Sequence, residues 1–176
     1  MNADLPLILR ALAFAAHRHR DQRRKGPEAS PYINHPIALA DLLCTEAQVD
    51  DPRVLAAAIL HDTLEDTRTS RAELESLFGH EVAAIVTEVS DDTTLPRQER
   101  KRLQVLHAQR LSGPARLVKL ADKICNLRDI AASPPLTWSL DRRRQYFDWA
   151  KQVVDEIRGS HAVLESIFDA TYRLRP

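Results

Sequence analysis

Glycine is scarce, with four in 176 residues. Alternating runs of strand type are missing as well, and the two shortages together argue against a β-fold. Cysteine occurs only as Cys44 and Cys125. Both lie in apolar helical contexts, and they form neither a CxxC pair nor a disulfide framework. That usage fits a reducing cytoplasm. No apolar run approaches the roughly 20 residues of a membrane span. The segment Leu5–Ala16 is apolar, but it lacks a basic leader and contains Arg10, so it reads as a first helix and not as a signal peptide. Neither sign of charge is in excess: Lys+Arg and Asp+Glu number 25 each. No global field therefore draws nucleic acid or an anionic membrane, and any phosphate preference must come from local patches. The basic stretch Arg97–Arg102 has no interleaved aromatics, so stacking on single-stranded nucleic acid is unsupported.

What is present is helical periodicity from end to end. It predicts helices over about 5–20, 36–47, 52–65, 70–78, 80–90, 96–111, 114–131, 138–158 and 160–173. Pro36, Pro52 and Pro114 each sit in a first turn behind polar cap candidates. Ser70 with Glu73 makes a capping box, and Gly79 and Gly159 suit helix stops. No repeat, low-complexity tract or long linker divides the chain. The expectation is an all-α single domain spanning residues 1–176, a bundle of about eight to ten helices.

The string His61-Asp62-Thr63-Leu64-Glu65-Asp66 closes the apolar segment Val54–Leu60. A helix apolar on every side is a buried one. Ionised carboxylates are costly there unless a cation or hydrogen-bond donors hold them. A divalent metal site is the economical explanation. His61 and Asp62 point about 100° apart on a helix, yet both can reach an ion lying off its end. Glu65 and Asp66 follow them by four residues each, which sets a second acidic layer one turn on, suited to moving protons. The remaining ligands must come from elsewhere. His35, before Pro36, is one candidate, although a His-Pro at a helix start is more often just a cap. Asp122 is another, inward-facing on an apolar helix, where Lys119 or Arg128 could equally pair with it. Together, two imidazoles and two carboxylates make a donor set of borderline hardness, better suited to Mn²⁺, Fe²⁺ or Zn²⁺ than to Mg²⁺ or Ca²⁺. His17 and His19 read as solvated, and His80, His107 and His161 as structural.

His35, the His61-Asp62 doublet and Asp122 resemble the H…HD…D signature of the HD hydrolase superfamily. The blocks Arg23–Gly26, Pro31–Pro36, His61–Thr67 and Val118–Lys123 narrow the resemblance to the hydrolase domain of the RelA/SpoT homologues, in the small stand-alone alarmone hydrolases of metazoan type. Leu95-Pro96, Glu99–Gln104 and Tyr146-Phe147 extend it over about Ala13 to Leu164. The resemblance implies that His35, His61, Asp62 and Asp122 bind Mn²⁺. It implies hydrolysis of the 3′-pyrophosphate of guanosine tetra- and pentaphosphate (ppGpp and pppGpp) to GDP or GTP plus pyrophosphate, with Glu65 and Asp66 as the catalytic acidic pair. By the same resemblance, Arg24 and Lys25 meet phosphates, Asn126 meets the sugar, and Arg142 and Tyr146 face the nucleotide. Arg97 stands where the metazoan type carries Lys, and Thr94 removes one charge from that loop. The partner implied is a small-molecule nucleotide, with no nucleic acid and no membrane, and the oligomeric state stays open. The chain has no room for a synthetase or regulatory domain, so the expectation is a hydrolase alone. NADPH losing its 2′-phosphate, adenine alarmone analogues, and a non-catalytic nucleotide-binding module are the alternative readings.

Overall fold

The computed structural model describes residues 4–176. Ten α-helices follow one another: α1 (Asp4–Arg18), α2 (Asn34–Asp41), α3 (Pro52–Leu60), α4 (Thr63–Asp66), α5 (Arg71–Phe78), α6 (His80–Val89), α7 (Arg97–His107), α8 (Gly113–Ala132), α9 (Leu140–Asp155) and α10 (Ala162–Tyr172). Among the described residues there is no sheet, only an isolated antiparallel bridge between Arg23 and Pro31. The all-α expectation holds.

Helix α3 is the hub. All seven residues from Val54 to Leu60 are buried, and the helix packs against α1, α2, α6 and α8. Its start is set locally: Asp51 accepts from the Arg53 N–H at 2.9 Å while Pro52 fills the first turn. The 20-residue α8 is buried on more than one face, and its buried side chains include two lysines, Lys119 and Lys123. Ser112 caps it, as its sequence position suggested. Ser70 accepts from the Glu73 N–H at 3.2 Å. The Glu73 carboxylate does not close the capping box; it pairs with Arg18 instead. Asn34 and His35 do not precede their helix but lie inside α2, which starts after Ile33 without a side-chain cap.

Three predicted helices are broken. The predicted 36–47 passes from α2 into a π-helical turn, Leu42–Glu46, where the Thr45 hydroxyl donates to the Asp41 carbonyl at 2.7 Å. The predicted 52–65 ends at Leu60, and a turn at His61 and Asp62 separates it from α4. Here side chains take the carbonyls that a continuing helix would use: His61 Nδ1 contacts Ala58 O at 2.8 Å and the Thr63 hydroxyl donates to Leu60 O at 2.6 Å. The predicted 96–111 tightens to a 3₁₀ turn over Ala108–Arg110.

Candidate metal centre and adjoining cleft

The turn after α3 delivers His61 and Asp62 to the middle of the bundle, α2 delivers His35, and α8 delivers Asp122. His35, His61 and Asp62 each place one ligand atom within 4.8 Å of the others. Asp122 Oδ1 lies 3.4 Å from His35 Nε2 and 3.9 Å from His61 Nε2, and Asp62 Oδ2 lies 2.8 Å from His61 Nε2. The Ala58 carbonyl assigns the His61 proton to Nδ1, leaving Nε2 with its lone pair turned to the carboxylates. The Nε2 atoms of both histidines are buried without a hydrogen-bond partner, although acids surround them. Orphaned buried nitrogens beside carboxylates are what a cation-binding set looks like, and the four groups fit a divalent metal. Burial alone would lower the His61 pKa, but the Asp62 and Asp122 charges outweigh it and raise it to about 9, so a cation binding at Nε2 would have to displace a proton to use that lone pair. Burial likewise disfavours charge on Asp62 and Asp122, yet the neighbouring imidazoles, and Lys123 for Asp122, hold both below the ordinary carboxylate range.

Around these groups stand two side chains to which no role was given from sequence. The Tyr32 hydroxyl donates to Asp62 Oδ2. Lys123, 3% exposed, donates to Asp122 Oδ2 at 3.1 Å. It takes the place suggested for Lys119 or Arg128. Lys119 donates instead to the Val89 carbonyl at 2.7 Å, and Arg128 pairs at the surface with Glu46. Both Tyr32 and Lys123 sit inside the sequence blocks that carry the resemblance, but no spacing rule singled them out.

Glu65 and Asp66 both line the ligand cavity of about 220 Å³, but their carboxylates diverge. Glu65 Oε1 accepts from the Asp91 backbone N–H at 2.8 Å, and Oε2 is 3.8 Å from Arg100. Burial first, and then the Asp62 and Asp91 charges, push its pKa up to about 7 against the pull of that N–H. Asp66 Oδ2 accepts from the Gln22 amide at 2.7 Å and faces a second cavity as well.

That second cavity, about 430 Å³, continues the first through Tyr32, Asp66, Asn126 and Tyr146. Arg24, Lys25 and Arg97 line it, with Trp138. The Arg23–Pro31 bridge and the Arg24 N–H to Ser30 O bond at 2.9 Å fold the basic turn that presents Arg24 and Lys25. Gly26 completes this turn against the end of α8: a Cβ there would lie 3.1 Å from Ser133 Oγ and 3.2 Å from its carbonyl oxygen. The Asn126 amide nitrogen donates to Asp122 and its oxygen accepts from Arg24 at 3.3 Å, so it joins the ligand set to the basic turn. Arg24 also pairs with Asp129. Arg142 is not among the residues lining either cavity; its guanidinium rests over the Trp138 ring at 4.5 Å. The expectation that His19 is solvated fails. It is 2% exposed, bonded to Gln22 at 2.6 Å and packed on the Tyr32 ring. His17 is exposed.

A helical bundle with two histidines and two aspartates converging at its centre defines the HD class. The chain belongs to the HD domain family, whose profile matches residues 11–146. It is 52% identical over 169 residues to guanosine-3′,5′-bis(diphosphate) 3′-pyrophosphohydrolase MESH1 of Xenopus tropicalis, covering 96% of this chain and 94% of that protein. It is 50% identical over 175 residues to the Homo sapiens protein of the same name, covering 99% and 98%. A solved structure described as a metazoan ortholog of SpoT that hydrolyzes ppGpp superposes with a TM-score of 0.94, at 47% identity, over 99% of this chain and 97% of its own.

Proposed function

We propose that this chain is a Mn²⁺-dependent 3′-pyrophosphohydrolase of ppGpp and pppGpp. The observation that carries the reading is the pair of orphaned histidine Nε2 atoms facing Asp62 and Asp122, with Glu65 alongside and a cationic cavity opening beyond. His35, His61, Asp62 and Asp122 would hold the ion. Bound there, a divalent ion supplies Lewis acidity to a phosphoryl oxygen and water acidic enough to attack near neutral pH. The attacking water forms a bond to the phosphorus on the ribose 3′-oxygen, and the bond from phosphorus to that oxygen breaks. Glu65, poised near pH 7, takes the water's proton and returns one to the departing 3′-oxygen. Asp66, where the two cavities meet, completes the acidic pair. Arg24 and Lys25 meet the phosphates, a forked guanidinium and a point charge. Arg97, Asn126 and Tyr146 line the nucleotide's path, with Arg142 acting through Trp138.

The test is a substrate panel on purified, Mn²⁺-loaded protein: pyrophosphate release from ppGpp, pppGpp and their adenine analogues against phosphate release from NADPH. The guanosine alarmones are expected to turn over fastest, and Asp62→Ala is expected to lose both metal and turnover. Far faster turnover of NADPH, or no turnover of any member, overturns the assignment.

A further inference from the structure

Gln104 on α7 lines both the ligand cavity and a neighbouring cavity of about 290 Å³ beneath the Ser90–Leu95 turn. Its amide nitrogen donates to both carboxylate oxygens of Asp91, at 2.9 and 2.8 Å. Its amide oxygen accepts from Lys123 Nζ at 3.0 Å. Beyond Lys123 stands Asp122, and beyond Asp91, through its backbone N–H, stands Glu65. Five residues thus form an unbroken path from a carboxylate of the ligand set to the carboxylate beside it, and Gln104 is its middle link. The link has a polarity that few side chains match. An amide offers a donor to one side and an acceptor to the other, whereas a carboxylate here would repel Asp91 and an ammonium would repel Lys123. Among the described residues nothing else holds the Asp91 carboxylate as closely: Arg100 stands 3.9 Å from it.

We infer that Gln104 is a positioning residue for Glu65: anchored on Lys123, it holds the Asp91 turn so that the Asp91 N–H is aimed at Glu65 Oε1. The kinetic half of this inference rests on the hydrolase reading above. Hydrogen bonds that orient the groups around a metal site are commonly worth 10–100-fold in activity.

The experiment compares wild type, Gln104→Glu, Gln104→Met and the charge-preserving double variant Asp91→Asn/Gln104→Glu. Gln104→Met keeps the length without a charge, so it serves if Gln104→Glu fails to fold. In the single variants kcat should fall about 10–100-fold with KM and bound Mn²⁺ unchanged. Hydrogen exchange of the Asp91 amide, read by NMR in the metal-free protein, should speed up about tenfold or more. The double variant restores a donor facing an acceptor at positions 91 and 104, so most of the kcat and the amide protection should return. Three results would overturn the inference: kcat within twofold of wild type, a fall matched by an equal loss of metal, or a double variant no better than the single ones. A wild-type protein inactive on ppGpp and pppGpp sinks the hydrolase reading instead, and the exchange measurement then judges the positioning role alone.

Discussion

Glu65 is a carboxylate whose environment departs far from its chemical type. Its carboxylate is half-buried, faces two other acids, and is raised to about 7 from an ordinary 4.5. The sign follows directly. A group whose pKa is higher in the folded state stabilises the fold below its unfolded value and loses that contribution as pH rises through the folded value. Metal-free wild type should therefore lose stability relative to Glu65→Gln between about pH 4.5 and 7, as read by urea unfolding at a series of pH values; parallel curves for the two proteins would contradict the raised pKa. In the loaded enzyme Glu65→Gln should keep its metal and lose about 10²–10⁴-fold in kcat if this group moves the proton, and unimpaired turnover would remove the role. His61, Asp62, Glu65 and Asp66 were legible because four polar groups end an apolar run. Tyr32 and Lys123 were not, because a phenol and an ammonium earn their place only through a carboxylate 30 residues or one residue away that the fold turns towards them.

At the scale of elements, α3 and α8 do two jobs, filling the core and placing the candidate ligands. Their apolar residues set the relative placement of His61, Asp62 and Asp122. Leu120 is fully buried on α8, directly after the buried Lys119 and two residues before Asp122. Leu120→Ala should cost about 2–5 kcal/mol, measured by denaturant unfolding, and a loss under 1 kcal/mol would mean that this helix is not held as described. Helix existence was legible throughout, because the 3.6-residue period reports burial and burial follows the bundle. The breaks were not. Helical propensity has no term for His61 Nδ1 reaching the Ala58 carbonyl or for Thr63 taking that of Leu60, and these side-chain bonds end α3 one residue before the motif. The break also separates the acidic pair. An unbroken helix would have stacked Glu65 and Asp66 over His61 and Asp62, but the turn sends one carboxylate to the Asp91 N–H and the other to Gln22.

At the scale of the molecule, a neutral chain still builds local charge. Acids and imidazoles gather at the centre around the buried Lys119 and Lys123, while Arg24, Lys25 and Arg97 line the adjoining cavity beside Asp66 and Asp129. No helix among the described residues is long and apolar enough to cross a membrane. The centre should bind its ion in the folded state only, so metal contributes to stability by mass action. At a hundredfold excess over Kd that contribution is about 2.7 kcal/mol, equivalent to a Tm shift on the order of 5–10 °C for a chain of this size. Chelation with EDTA should lower Tm by that amount in wild type and by far less in Asp62→Ala; an unchanged wild-type Tm would argue against metal at this site. By itself, the amino-acid order determined the helical class, the buried hub and the identity of the metal-ligand candidates, because burial period and donor chemistry are local properties of a chain. Only the tertiary structure decided how those candidates meet, that Lys123 rather than Lys119 supports Asp122, that Arg142 stands back behind Trp138, and that Gln104 ties the two acids together. Some of these relations join residues far apart in sequence and others near neighbours along the chain, and in each case the packing of the whole bundle decides which way the side chains turn.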